Sequence, residues 1–389
     1  MKAPAPHAAP VAAAAQGSPP FRFYDNRQKY LAFVTTCNEK SAIARRAAHE
    51  VALLRPTPPA VRLFDAGMGD GTVISRVMRS THRQFPTVPM FVVAKEISLE
   101  DVRLGLEKLP DRLFEHPATV FVVTNLNYSE APRLMPRDAQ LAAALNWQEV
   151  RLSGATAHEY AEQIDELDSA LAAGWQTRPS AASGNPLVVR PSVLVIYRED
   201  HKFLLDGVIP KPGRIFEHYD LILASQPWRA RMGADFKVRR VLAPLARSLA
   251  PGGRLLAIQS WGHDPALEII QQLWPEERPF QVDRHMLLAA LRRELGRDAR
   301  EFNLSAPPDD KAVFRYEMHT LPSEIGNRIG TSTLFAAWNA AIYVNQIEDE
   351  RLDAAVASGS YVEATQRVLQ KHGGLWFNDE AFVVTRRRD

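Results

Sequence analysis

The chain has 389 residues, 46% of them hydrophobic and 24% charged, which allows one enlarged domain or two with a sizeable core. Lys plus Arg number 47 against 45 for Asp plus Glu, so a net charge of +2 supplies no field able to hold a phosphate backbone, and no nucleic-acid partner is expected. Cys37 is the one cysteine, which excludes an internal disulfide or multi-cysteine zinc site and suits a reducing, cytoplasmic setting; no metal site is expected.

Residues 1–20 form an Ala/Pro tract without a leucine-rich core, read as a disordered tail, and residues 21–389 are read as one domain. From Asn26 to Leu54 apolar residues recur at helical spacing until Pro56. Nearly all-apolar runs then follow at 61–67, 90–97, 119–126, 219–225 and 254–260, as strands covered on both faces should be. Between them, Thr72 to Phe85, Leu99 to Leu109 and Phe236 to Leu249 are long enough for crossover helices, so the order predicts a doubly wound α/β fold. Residues 131–214 and 321–379 are too long for plain connections and are read as insertions. The first carries a helix from Ala157 to Ala173 and a strand-like run at 192–200; the second is mainly helical, before a last apolar run, AFVVTRR. No run of about 18 apolar residues occurs, so no membrane span is expected.

The strongest local signal is Phe64-Asp65-Ala66-Gly67-Met68-Gly69-Asp70-Gly71, an acid and three alternating glycines joining a buried strand to a helix. A dinucleotide loop has G-x-G-x-x-G and rests a diphosphate on the helix N-terminus; here the spacing is G-x-G-x-G, and the preceding Asp would repel a diphosphate and suit an ammonium group. A Gly-rich turn with no ligand is the plainer alternative. At the end of the second strand Glu96 can accept two hydrogen bonds from vicinal ribose hydroxyls, or can be a solvated strand-end acid.

This segment resembles motif I of the class I S-adenosylmethionine-dependent methyltransferases, and the later strands, with the passage LAPLARSLAPGGRLLAIQS, continue the resemblance over about half the chain. The resemblance implies a mostly parallel seven-stranded sheet and S-adenosylmethionine as cofactor. It places Asp65 by the amino-acid part of that cofactor and Gly67, Met68, Gly69 and Gly71 around methionine and ribose, with Glu96 and Ile97 at the ribose. Asn125 and Leu126 stand where the family meets adenine, although an acidic segment is usual there, and Ser225 completes the set at the fourth strand.

Methyl transfer is an in-line displacement that demands alignment, with proton removal only if the acceptor is protonated. Ser225-Gln226-Pro227-Trp228 resembles the [DNS]-P-P-[YFW] loop of amino-group methyltransferases, with Gln226 in place of the first proline; Trp228 is then an acceptor-stacking candidate, or simply a rim residue. After the fifth strand, His263 is a candidate general base and Trp261 a wall for a flat acceptor, while Asp264 before Pro265 equally reads as a helix N-cap. Tyr24 and Asn38 are candidates to close the site; His319 and Glu324 are weaker ones, and lone Cys37 is expected to be buried and inert. Walker-type, H-E-x-x-H and G-x-S-x-G motifs are absent. The reading is a methyltransferase for a small-molecule acceptor, with both insertions as a lid. A protein or nucleic-acid methyltransferase, an aminopropyltransferase and a catalytically inactive cofactor-binding scaffold are the alternatives, and a homo-oligomer is left open.

Overall fold

The computed structural model describes residues 27–181, 186–214, 217–320, 322–325 and 329–388, so the expected tail and Tyr24 lie outside the described residues. The strands are β1 (Val61–Asp65), β2 (Met90–Lys95), β3 (Thr119–Thr124), β4 (Asn146–Leu152), β5 (Thr177–Pro179) and β6 (Pro186–Val188). They continue with β7 (Ser192–Arg198), β8 (Tyr219–Ser225), β9 (Leu249–Ser260), β10 (Phe302–Asn303), β11 (Val313–Glu317) and β12 (Trp376–Arg386). At its centre the order β3-β2-β1-β8-β9 is wholly parallel, the arrangement of a doubly wound sheet whose strand order reverses beside β1. β2 and β3 are buried at every position, which explains their unbroken apolar sequence.

Side chains alternate between two cores. On one face Leu63, Val92 and Leu223 pack beneath the helices Glu39–Val51, Thr72–Gln84 and Leu99–Leu106. On the other, Phe64, Val93 and Ile222 pack beneath residues 234–247 and the helix Arg284–Leu295. A third cluster joins the helices Arg27–Thr36, Pro265–Leu273 and Thr331–Val344 near the carboxyl ends of the strands.

Three expectations are corrected. Among the described residues the sheet has ten strands rather than seven, because β7 adds antiparallel to β3, β4 adds parallel to β7 and β10 adds antiparallel to β12. Residues 131–214 thus extend the sheet edge instead of forming a lid: all seven residues of β7 are buried, and a strand apolar on both sides needs sheet neighbours and two covered faces. The helix expected from Ala157 to Ala173 breaks into Ala157–Asp165 and Asp168–Gly174. At the other edge β12 runs antiparallel to β9 and also pairs with β10 and β11. Among the described residues no helix is long and apolar enough to cross a membrane.

Asn125 ties the added strands to the central ones. Its side-chain amide donates to the carbonyls of Gly174 (2.9 Å) and Arg190 (3.0 Å), and its Oδ1 accepts from the Ser192 N–H at 2.8 Å. Its polar atoms are thus engaged within the protein rather than turned to the loop cavity, and neighbouring Leu126 is buried in the core. Asn125→Ala leaves buried partners unpaired and is expected to lower stability in urea unfolding by about 2 kcal/mol. Ligand affinity at the glycine loop should be unchanged in that variant.

Candidate functional site

The glycine loop leaves β1 at the point where strand order reverses, the usual ligand crevice of an open α/β sheet. It is fixed to its surroundings by backbone bonds from Ala66 N to Leu223 O (2.8 Å) and from Met68 N to Lys95 O (3.0 Å). The Gly69 N–H donates to Glu96 Oε2 at 2.9 Å, and Glu96 Oε1 also accepts from Ile97 N and Ser98 N. The glycines have different reasons. Gly71 lies at φ 75°, and a Cβ there would stand 2.6 Å from Gly105 Cα, so it permits close packing of the helix Leu99–Leu106. A Cβ on Gly67 would meet nothing within 4 Å, so the chain at Gly67 faces open space.

That space belongs to a cavity of about 120 Å³. Its walls are the loop (Asp65, Gly67, Met68, Gly69), the first helices (Tyr30, Glu39, Lys40), the ends of β8 and β9 (Ser225, Gln226, Ser260) and Tyr343, Val344 and Gln346. Asp65 is 1% exposed; its Oδ1 accepts from the Gly67 N–H at 3.1 Å, while its Oδ2 is buried without a hydrogen-bond partner. Burial pushes the Asp65 carboxyl up to about 7, with Glu96 adding to the rise against the Gly67 N–H and Lys40. Burial also raises Glu39, and it raises Asp101 to about 6. Burial acts on Asp70 too, but the Lys40 ammonium at 2.6 Å and the two hydrogen bonds from Thr72 outweigh it and hold that carboxyl low. Lys40, the cation on the cavity wall, is thus committed to Asp70 and to the Tyr30 hydroxyl (2.8 Å). What remains is an acid-rich cavity with an unsatisfied carboxylate oxygen, chemistry that suits a cationic ligand.

The structure brings together Asp65, Gly67, Met68, Gly69 and Ser225 on this cavity, with Gly71 at the loop's end and Glu96 bonded to Gly69. Ile97 lines a separate, larger cleft. Trp228 does not line the cavity: it is 7% exposed, its indole N–H donates to Gln259 Oε1 at 2.8 Å, and Lys237 stands over its ring. The polar tip of Trp228 thus points inward, and its ring borders a small neighbouring pocket that shares Gln226, Ser260 and Gln346 with the loop cavity. His263 and Trp261 (ring centroids 4.5 Å apart) border another cleft that shares no residue with the loop cavity. Asp264 is the N-cap, accepting from Leu267 N at 2.9 Å. Asn38 is structural, accepting from Glu317 N at 2.8 Å; His319 and Glu324 are exposed; Cys37 is buried and its thiol pushed up to about 12 by burial.

Tyr30, Glu39, Lys40, Tyr343 and Gln346 were not singled out as site residues, since each belongs to a helix or turn far along the chain from the loop. Asn38, a candidate to close the site, is followed directly by Glu39 and Lys40, and these two successors reach the cavity. Gln226 is a further one, in the left-handed region at φ 49°, a strained backbone of the kind that collects at functional sites. Its side chain donates to Asp379 Oδ1 (3.2 Å) and accepts from Ser260 N (3.1 Å).

No family model and no curated protein matches the chain. Among solved structures it is similar to a geranyl diphosphate methyltransferase in complex with GPP and sinefungin, at 14% identity over 88% of this chain and 78% of that one, TM-score 0.29. It is also similar to a putative sarcosine dimethylglycine methyltransferase from Galdieria sulphuraria, at 12% identity over 90% and 85%, TM-score 0.30. A third is PKMT2 from Rickettsia typhi in complex with AdoHcy, at 9% identity over 89% and 52%, TM-score 0.30. The reading of the site rests on its own geometry.

Asp65 carries a consequence for stability. Its folded value of about 7 stands above the ordinary 3.8, so the folded state binds the extra proton between these values and loses stability as pH rises through that window. Asp65→Asn removes this penalty and is expected to stabilise the ligand-free chain at pH 8 by up to about 4 kcal/mol, with the gain vanishing below pH ~4. Thermal unfolding of both chains across that range checks it.

Proposed function

We propose that this chain is an S-adenosylmethionine-dependent methyltransferase acting on a small acceptor. The observation that carries the reading is the buried, unpartnered Oδ2 of Asp65, a residue that with Glu39 lines the cavity under a glycine loop at the sheet's reversal point. An ammonium group would complete that carboxylate, and the open space at Gly67 lets a ligand approach the backbone closely. Glu96 accepts three N–H bonds and retains acceptor capacity for a ribose hydroxyl. When bound, the cofactor supplies an electrophilic methyl on a sulfonium.

The chain's own part is alignment and exclusion of water. Asp65 anchors the amino-acid end, and Tyr343, Val344 and Gln346 from the second insertion close the cavity over the loop. Ser225, Gln226 and Ser260 present polar groups at the ends of β8 and β9. Glu39, its carboxyl raised by burial, stands on the same wall and can accept a proton from a protonated acceptor.

Calorimetric titration with S-adenosylmethionine, NAD and decarboxylated S-adenosylmethionine tests the reading. Selective binding of the first is expected; preference for the decarboxylated form would replace methyl by aminopropyl transfer, and no binding would leave a scaffold. Asp65→Ala should weaken affinity about 100-fold by removing the charge partner. Gly67→Val should abolish binding by filling the space the ligand needs.

Affinity should also follow the ionisation of Asp65. Protonation below pH ~7 removes the anion, so Kd should rise about tenfold for each unit of further acidification. The same titration series on Asp65→Asn should be weak and flat with pH; an equally steep profile in that variant would remove Asp65 from the site.

A further inference from the structure

A second, larger cleft lies on the opposite face of the sheet from the loop cavity. It encloses about 860 Å³ and runs from Lys95, Ile97 and Tyr128 at the carboxyl ends of the strands to Glu217 and Ser248 near their amino ends. Its volume falls in the range of sites for small organic ligands. Six arginines and Lys95 line it against two carboxylates, Glu217 and Glu294, so a positive wall is concentrated here in a chain of nearly balanced charge.

Lys95 is the deepest of these cations. It is the last residue of β2, and alternation places it on the face of Phe91 and Val93, away from Asp65. It is only 8% exposed, yet its Nζ has no hydrogen bond or ion pair among the described residues; its ammonium sits 4.8 Å from the centre of the Tyr128 ring. Tyr128 is held by its own bond to Pro227 O at 3.0 Å. Burial pulls the Lys95 pKa down against the charge of neighbouring Glu96, and with no direct ion pair or hydrogen bond among the described residues its ammonium is free to meet an anion in the cleft. Further along, Arg137, Arg239 and Arg240 are exposed on the cleft, the last over the Phe236 ring.

We propose that this cleft is a binding site for a small organic polyphosphate, with Lys95 as its buried anchor and Arg239 and Arg240 as outer phosphate contacts. The chemistry is that of charge-assisted bonds from lysine and arginine to phosphate oxygens. A nucleic-acid strand is disfavoured by the carboxylates on the same walls, Glu217 being paired to Arg133 at 2.9 Å, and by the small net charge. The site stands apart from the proposed cofactor cavity and does not depend on it.

The probe is uridine triphosphate, which lacks the adenine that a cofactor site would take, titrated into the full chain at about 0.15 M salt. Saturable binding displaced by inorganic tripolyphosphate is expected. Lys95→Met should weaken it at least about tenfold, and the double variant Arg239→Ala/Arg240→Ala, which touches only exposed positions, about threefold or more. S-adenosylmethionine affinity should be unmoved in the double variant, so the two sites fail or stand separately. Absence of saturable binding, binding that neither variant weakens, or tighter binding of a single-stranded RNA that displaces the nucleotide would each overturn the proposal.

Discussion

Asp65 ends a strand that is buried on both faces, and the loop that follows turns its carboxylate into a cavity where the chain offers it one backbone N–H and nothing more. Lys40 lines the same cavity but is drawn off by Asp70 and Tyr30, and burial raises the carboxyls of Asp65 and Glu39, with the charge of Glu96 adding to the rise at Asp65. A fold under no functional pressure would neutralise or replace such a group, because an unpaired buried charge is among the most costly features of an interior. The rest of the site follows from that unfinished pairing. The loop leaves space at Gly67, Glu96 braces Gly69, and the helix Thr331–Val344 with Gln346 covers the opening.

The two insertions solve different problems. The first carries β7, apolar at positions that face both cores, and such a strand is stable only with sheet neighbours; it therefore covers the edge of β3 and leaves β4, half exposed, as the outer strand. The second is helical with small and aromatic residues on a face that meets the helices Arg27–Thr36 and Pro265–Leu273, and so it docks at the carboxyl end of the sheet, over the site. Of the two insertions, only this second one contributes residues, Tyr343, Val344 and Gln346, to the walls of the loop cavity.

What could be read from the sequence follows from the same physics. β1, β2, β3 and β8 were legible because burial on both faces imposes an unbroken apolar run with sharp polar ends, and the glycine loop because Gly69 and Gly71 lie at positive φ and Gly71 packs against Gly105. Polar residues just past the strand ends were harder. Asn125, Trp228 and His263 all stand where ligands bind in such folds, yet Asn125 is bound to the strands added by an insertion, Trp228 to Gln259 on β9, and His263 follows a turn into a different cleft. Their partners are 31 to 67 positions away or more, beyond what a local pattern can express. The cavity residues Tyr30, Glu39 and Tyr343 were hidden for the complementary reason: they reach the site from helices whose own periodicity signals only packing.

The antiparallel last strand shows how the two faces are kept distinct. β12 brings Asp379 and Glu380 opposite Ser260 and Gln259 of β9, and consecutive residues of a strand point to opposite faces. Glu380 is drawn into a satisfied network, accepting from Gln259 at 2.7 Å and from Arg284 at 3.0 Å, and Gln259 in turn holds Trp228. Asp379 accepts from Gln226 but keeps a buried Oδ2 without a partner, and burial beside Glu39 and Asp264 holds its carboxyl well above the usual range. The face with the completed network also carries the large cleft lined by Lys95 and six arginines, while Asp65 and Glu39 line the loop cavity on the other. One sheet thus separates a negative cavity from a positive cleft across a single β-strand alternation, Lys95 turning one way from β2 and Asp65 the other from β1.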